Sequence, residues 1–159
     1  MLNKTLTGLA GAVGAALISI PAVAWADPAP SGLPDINVYT PISPADYVVM
    51  GGAWYAFSTP DGLTCVLDKG HNAYGCSGPI PAAPGGANLV SGVGGEQPGF
   101  ASSAAPLFAV AGQVKALAPQ TRISYRNISC AIDAGGATIC VNSASQHGFM
   151  LSQAGSFTA

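Results

Sequence analysis

A turn leads directly into a short alternating strand in the segment Phe57-Ser-Thr-Pro-Asp-Gly-Leu-Thr-Cys-Val-Leu-Asp68. About half a chain later the strand recurs, because Leu63-Thr-Cys-Val-Leu-Asp68 matches Ile128-Ser-Cys-Ala-Ile-Asp133 class for class. Each copy is followed by a glycine-containing turn and a second cysteine, Cys76 or Cys140. Since side chains alternate between the faces of a strand, each copy predicts a β-hairpin with its first cysteine on the apolar face.

Residues 1–26 have the pattern of a secretory signal peptide. Lys4 precedes an apolar run of small residues over Leu6–Ile20, Pro21 interrupts the run, and Ala24-Trp25-Ala26 supplies an A-x-A cleavage pattern. A retained membrane anchor is the competing interpretation, but the run contains glycines and is shorter than the ~20 residues that a spanning helix needs. We therefore expect cleavage after Ala26 and a protein that is secreted, extracellular or in the cell envelope, without membrane attachment.

The four cysteines predict a disulfide framework in such an exported chain. Four cysteines allow three connectivities, and the spacing favours the local pairs Cys65–Cys76 and Cys130–Cys140. In the first hairpin the two cysteines lie roughly opposite each other, near the Cα separation of ~5.5 Å that a disulfide accepts. A zinc site is disfavoured because the chain has no Cys-x-x-Cys pair.

Charge is scarce along the chain. The whole chain has five Lys or Arg and seven Asp or Glu. Lys4 lies before residue 26, so the part after residue 26 has four Lys or Arg against seven Asp or Glu and a formal charge of −3. Charged residues make up only 8% of the sequence, and no basic patch for nucleic acid or anionic lipid is present. The composition and motifs imply no cofactor and no bound metal.

The predicted domain organisation follows from the distribution of proline and glycine. Residues 27–45 contain five prolines and predict an extended lead-in, and residues 46–159 predict a single β-rich domain of roughly six to nine short strands. The Gly- and Pro-rich stretch Ser77–Gly99 predicts an ordered loop over the core. Ala101–Leu117 is the one helix candidate, with a strand over Leu107–Val110 as the alternative. The predicted fold is mainly β: a small disulfide-stabilised β-sandwich or barrel-like domain with two cysteine hairpins and at most one short helix.

Several motifs together resemble those of a family of small exported proteins of mycobacteria and related actinobacteria. The motifs are Phe57-x-Thr-Pro-Asp-Gly-x-x-Cys65, Cys76-x-Gly-Pro-x-Pro81, Pro84-Gly-Gly-Ala-Asn88, Ser129-Cys130 with Cys140, and Gly148-Phe-x-Leu-Ser-x-x-Gly-Ser156. This resemblance covers nearly the whole chain after residue 26. It implies export and a disulfide-bonded β fold, and it assigns no catalytic residues, because the family has no established activity.

Two pairs of titratable residues are the candidates for chemistry. Asp68 and Asp133 hold matching positions in the repeat and would flank a shared cleft if they acted as the carboxylates of a glycosidase. The favoured interpretation is structural, because aspartate before a glycine-containing reversal accepts backbone hydrogen bonds. His71 and His147 would act as metal ligands or acid–base partners, but they lack a ligand spacing such as H-x-x-x-H and are predicted to be surface residues.

Two functional classes remain after these considerations. The first is a non-catalytic binding or interaction module for an envelope or extracellular ligand, which presents the Ser77–Gly99 segment. It requires an exposed apolar or aromatic patch, although most aromatic residues of a small domain are expected in the core. The alternative is a small extracellular hydrolase that uses Asp68, Asp133 or a histidine. It requires two titratable groups that converge in one cleft.

Overall fold

The computed structural model describes residues 32–159, so the predicted signal peptide (1–26) and residues 27–31 lie outside the described residues. The described chain is built from short strands and 3₁₀ turns, and no α-helix is found in it. The mainly β prediction is therefore confirmed. The strands are β1 (Thr40–Pro41), β2 (Val48–Val49), β3 (Trp54–Ser58), β4 (Thr64–Asp68), β5 (Ala73–Ser77), β6 (Leu89–Val93), β7 (Gly99–Ala101), β8 (Thr121–Tyr125), β9 (Ile128–Ile132), β10 (Thr138–Asn142), β11 (His147–Leu151) and β12 (Phe157–Thr158).

The strands form two six-stranded sheets. In the first sheet, β2 to β7 follow one another in chain order, and each is antiparallel to the next. In the second sheet, β8 to β12 do the same, and β1 is added beside β8 in parallel orientation. Each sheet is thus a meander of locally connected strands, as expected where short turns join successive strands.

One apolar core lies between the two sheets and makes the fold a sandwich. Both disulfides and fully buried side chains from both sheets contribute to it, among them Phe57, Leu67, Ile123 and Ile132. The ring of Tyr74 in the first sheet stacks on Phe149 in the second, with 5.8 Å between ring centroids. Burial of each large apolar side chain in such a core stabilises the fold by about 1.5–3 kcal/mol.

The two predicted disulfides, Cys65–Cys76 and Cys130–Cys140, are confirmed. In each hairpin the two cysteines are direct register partners. Their Cα atoms are 4.0 Å and 4.1 Å apart, closer than the sequence-based expectation. The short distance fits a directly opposed, non-hydrogen-bonded pair of an antiparallel ladder, whose Cα atoms lie ~4.5 Å apart.

A segment outside the meander covers the outer face of each sheet. Over the second sheet, Leu33, Ile36 and Tyr39 pack against apolar residues of β9 and β10, from a segment that includes the 3₁₀ turn Ile36–Val38. This part of the predicted lead-in therefore lies against the sheet. Over the first sheet, the 102–117 segment places Phe108, Val110 and Val114 on Ala56, Val66 and Leu89.

A glycine lies under each cover and permits its close approach to the sheet. A Cβ atom on Gly75 would collide with the Val90 carbonyl oxygen of the neighbouring strand and would lie 2.7 Å from the Phe108 ring. One on Gly148 would collide with the Cys140 carbonyl oxygen and would lie 2.9 Å from Leu33 Cδ1. A side chain at either position would therefore disturb both the strand pairing and the covering segment. Each sheet thus has a glycine beneath the segment that covers its outer face.

Two predictions are wrong, the helix candidate and the long loop. The helix over Ala101–Leu117 and the alternative strand over Leu107–Val110 are both absent, since this segment runs irregularly over the first sheet. Its apolar residues contact the sheet from a non-helical backbone, and Gly112 has a positive φ of 84°. The predicted Ser77–Gly99 loop contains strand β6, which pairs with β5 and β7 and whose alternation is masked by Gly92. A Cβ on that glycine would lie 3.1 Å from both the Tyr74 ring and Pro98, a tight contact that favours glycine there.

Candidate functional site

The turn that follows β4 is organised by the Asp68 carboxylate. Oδ1 accepts hydrogen bonds from the backbone N–H groups of Gly70 at 2.9 Å and His71 at 3.2 Å. Oδ2 lies 2.8 Å from the Nδ1 atom of the His71 ring. The structural role predicted for Asp68 is therefore present, and a side-chain pair with His71 is added to it.

The electrostatics of this turn favour an ionised aspartate. Burial of the carboxyl raises the pKa of Asp68, but hydrogen bonds from the His71 ring and from the backbone of His71 and Gly70 outweigh burial. The pKa of Asp68 therefore lies below its usual value. The His71 side chain is 81% exposed, whereas that of Asp68 is 14% exposed. The carboxylate is thus fixed in the turn, while the imidazole extends into solvent.

Asp68 belongs to a row of side chains that crosses the outer face of the first sheet. Trp54, Asp68, Ala73 and Val93 are successive register partners on β3, β4, β5 and β6. Because register partners point to the same face, these four side chains form one continuous strip. The small Ala73 lies in the middle of the strip and leaves a depression between Trp54 and Val93.

The covering segment turns this depression into a trough of about 380 Å³. Phe108 closes one side, where its ring meets Trp54 edge to face with 6.1 Å between centroids. Its backbone N–H donates to Ser77 Oγ at 3.3 Å, which fixes the cover to β5. We call this surface the Trp54 trough, and its lining residues are Trp54, Asp68, His71, Ala73, Ser91, Val93, Leu107 and Phe108.

The walls of the Trp54 trough are mainly carbon and are open to solvent. Val93 is 52% exposed and Leu107 is 55% exposed. Trp54 is partly buried beside them. Phe57 and Tyr74 lie in the core as predicted for the aromatic residues, whereas Trp54 and Phe108 line this surface.

The matching aspartate of the second hairpin has only the structural role. Asp133 Oδ1 accepts hydrogen bonds from the backbone N–H groups of Gly135 and Ala137, both at 2.8 Å. Two shallow cavities of about 380 Å³ and 320 Å³ border this turn. One of them also contains Asp61, whose Oδ1 accepts a hydrogen bond from Gln153 at 2.6 Å.

Asp68 and Asp133 are not brought together. Gly136, in the Asp133 turn, lies against Pro60, because a Cβ atom on Gly136 would be 3.7 Å from the proline ring. Pro60 precedes β4, whereas Asp68 is the last residue of β4. A five-residue strand of ~17 Å therefore separates the two ends. Paired glycosidase carboxylates lie ~5–9.5 Å apart, so this pair does not form such a site.

His147 forms a contact between the two sheets at one end of the sandwich. Its Nδ1 atom lies 2.9 Å from the carbonyl oxygen of Gly95, in the turn after β6. The buried Asn142 side chain donates to the neighbouring Gly94 carbonyl oxygen. His147 and Asn142 therefore fasten the first sheet to the second, and His147 does not line the Trp54 trough that contains His71.

The part of the chain that the structure describes contains no cluster of three or more His, Cys, Asp or Glu residues able to hold a metal ion. Among the same residues, no helix has the length and apolar character needed to cross a membrane. The chain matches no protein-family model, no curated protein and no solved structure. Sequence patterns identified Asp68 and His71 as single candidates, but Trp54, Val93 and Leu107 join them only through strand register and the path of the covering segment.

Proposed function

We propose that this protein is an exported, non-catalytic binding module of the cell envelope or extracellular space, and that it binds its ligand at the Trp54 trough. Export is supported by the signal-peptide pattern of residues 1–26 and by the motifs that resemble small actinobacterial exported proteins. The two disulfides fit an oxidising compartment. Both features support a protein that acts outside the cytoplasm.

The observation that carries the binding proposal is an exposed, concave and apolar surface with one polar edge. Binding sites are typically concave and mainly apolar, with a few polar groups that orient the ligand. The Trp54 trough has this composition, because its carbon walls end at the Asp68–His71 pair.

The Asp68–His71 pair also favours a second candidate, a small hydrolase. Asp68 holds Nδ1 of His71, an arrangement that leaves Nε2 for a substrate or a nucleophile. Ser91 lines the same trough, but within residues 32–159 it makes no side-chain hydrogen bond to His71. A serine nucleophile and its base normally lie ~2.6–3.2 Å apart, so the geometry supports binding over hydrolysis.

Tryptophan fluorescence provides a direct test of binding. The chain has two tryptophans, so Trp54 is the single one in a protein that starts at Asp27 or in a full-length Trp25→Phe variant. We expect the neutral dye Nile red to bind near Trp54 and to receive energy from it. Replacing one exposed trough residue by Val93→Ser is expected to weaken dye binding roughly tenfold, the value for loss of about 1.4 kcal/mol of apolar contact.

A matched substitution on the same sheet controls for a general loss of apolar surface. Val48 is also a strand valine and is 46% exposed, but it does not line the trough. Val48→Ser should therefore leave the dye affinity unchanged. The proposal is overturned if Nile red does not bind, or if Val48→Ser weakens its binding as much as Val93→Ser does.

A further inference from the structure

Resting on the proposed binding at the Trp54 trough, we propose that the occupant is a protein segment in which an apolar anchor side chain is flanked by lysine or arginine. The anchor would lie on Ala73 between Trp54 and Val93, and the flanking cation would reach Asp68. This inference depends on three properties of the trough: its charge, the engagement of the chain's own cations, and its depth.

The polar edge of the trough is anionic. Asp68 is its one carboxylate, and none of its lining residues is Lys or Arg. A carboxylate has about four acceptor positions, and Asp68 uses three of them in its own turn. One of those three goes to the exposed His71 ring, and an exposed pair of this kind is easily exchanged. A partner cation can therefore join or replace His71 at the carboxylate.

The chain's own cations are engaged elsewhere in the described structure. Lys115 Nζ lies 3.1 Å from Asp46 Oδ2, and Arg122 donates to the Tyr39 carbonyl oxygen at 3.2 Å. Lys69 and Arg126 lie over aromatic rings, those of Tyr55 and Tyr125. Within residues 32–159, a second copy of this chain would have to give up one of these contacts to place a cation on Asp68, so a partner of different sequence with an unengaged cation fits better.

The depth of the trough favours a protein segment over a small free ligand. Small-molecule sites bury 70–90% of their ligand. Here the two walls, Val93 and Leu107, are themselves more than half exposed, and the floor is the open face of a sheet. A shallow apolar depression with a tryptophan in it matches the anchor pockets of protein interfaces, where one side chain is buried and its neighbours remain at a polar rim.

Three matched peptides test the proposal. Each carries a central phenylalanine and differs only in its flanking residues, which are lysine, glutamine or glutamate. Binding is followed by Trp54 fluorescence in the Trp25→Phe chain. We expect the lysine peptide to bind tightest and the glutamate peptide to bind roughly fivefold or more weakly, with a difference that shrinks as salt is raised.

Two variants test whether Asp68 causes the preference for the lysine peptide over the glutamate peptide. Asp68→Asn should remove the preference for lysine, whereas the matched substitution in the other hairpin, Asp133→Asn, should retain it. Since Asp68 also organises its turn, Val93→Lys provides a second measurement at a surface position. It places a cation on the trough wall and should reverse the order of the lysine and glutamate peptides.

The outcomes separate this inference from the proposed function. If Nile red binds at Trp54 but the three peptides bind equally, the partner inference is overturned and the binding site remains. If neither the dye nor any peptide binds, the proposed function fails as well. Binding of dodecyltrimethylammonium without binding of the lysine peptide would overturn the inference in favour of a small cationic amphiphile. Dimerisation in sedimentation experiments that Val93→Ser abolishes would overturn it in favour of a second copy.

Discussion

The β4–β5 hairpin and the β9–β10 hairpin share a disulfide between directly opposed residues and an aspartate that accepts two backbone hydrogen bonds in or beside the turn. They differ in what surrounds that aspartate. Asp68 has the His71 ring as a partner and a trough lined by Trp54 and Phe108 beside it. Asp133 is followed by Ala134 and two glycines, and within the described chain the two cavities beside its turn contain neither a histidine nor a tryptophan. The shared features therefore account for folding, and the features present in one hairpin alone locate the candidate site.

The largest effect is expected from removal of either disulfide. Cys65→Ala with Cys76→Ala, and Cys130→Ala with Cys140→Ala, each open a loop of similar length, since the sequence separations are 11 and 10. In the chain-entropy account, each pair should lower the free energy of unfolding by about 3 kcal/mol. Urea denaturation of the two double variants measures this. Losses that differ by more than about 1 kcal/mol would show that the hairpins are not equivalent in stability.

The second prediction concerns alkaline pH and depends on a residue that only the first hairpin has. Burial raises the pKa of Tyr74 to about 12 from 10.0, so between these values the unfolded chain loses the phenolic proton and the folded chain retains it. Stability is therefore complete below pH 10 and falls as pH rises, by roughly 1–2 kcal/mol.

Tyr74→Phe is the control for this effect. The variant should lose less stability between pH 10 and pH 12 than the parent protein, as measured by urea midpoints at a series of pH values. Parallel pH profiles for the two proteins would contradict the buried position of the Tyr74 hydroxyl. The second hairpin has Thr138 at the matching position, two residues before its second cysteine, and contributes no such dependence.

Much of the framework could be predicted from the sequence, because it depends on local patterns. The cysteine repeat predicted both hairpins, which contain β4 with β5 and β9 with β10. Strand β6 was missed because Gly92 interrupts its apolar pattern, and the reason for that glycine is a non-local contact with the Tyr74 ring. Local alternation thus fails where tertiary packing selects the residue.

The candidate site was less predictable, because it is assembled from four strands and a cover. Trp54, Asp68 and Val93 become neighbours through the register of three strand pairs, which the sequence pattern does not determine. Leu107 and Phe108 belong to an apolar pattern that also suits a helix, whereas the structure has an irregular segment here whose Phe108 packs on the first sheet. Sequence patterns therefore identified single candidate residues, whereas the surface they form requires the fold.

A smaller effect is expected from the turn aspartates. Asp68→Ala and Asp133→Ala each remove a charged acceptor of two backbone hydrogen bonds and should lower the free energy of unfolding by about 2 kcal/mol at neutral pH. Because the folded-state pKa of Asp68 is lowered, its contribution is complete above the usual carboxyl pKa of ~3.9 and is lost as pH falls through the lowered value.

Acid titration separates this contribution from a general loss of packing. The stability difference between the parent protein and Asp68→Ala should shrink as pH falls below about 4, as followed by thermal or urea unfolding. A difference that stays constant to pH 2 would mean that the carboxylate charge is not the stabilising feature. His71→Ala should have a smaller effect, of about 0.5 kcal/mol, because its side chain is exposed.

A modest gain in stability is expected from Thr138→Val in the second hairpin. Thr138 is fully buried, and its hydroxyl has no hydrogen-bond partner among residues 32–159. A valine of the same shape removes this buried polar group and should raise the free energy of unfolding by about 1 kcal/mol. Thr121→Val is the matched control on β8, because the Thr121 hydroxyl donates to the Ala118 carbonyl oxygen at 2.7 Å and its loss should destabilise. If both substitutions destabilise the protein, the Thr138 hydroxyl has a hydrogen-bond partner in solution. The second hairpin would then contain a buried polar interaction at the position where the first hairpin has Tyr74.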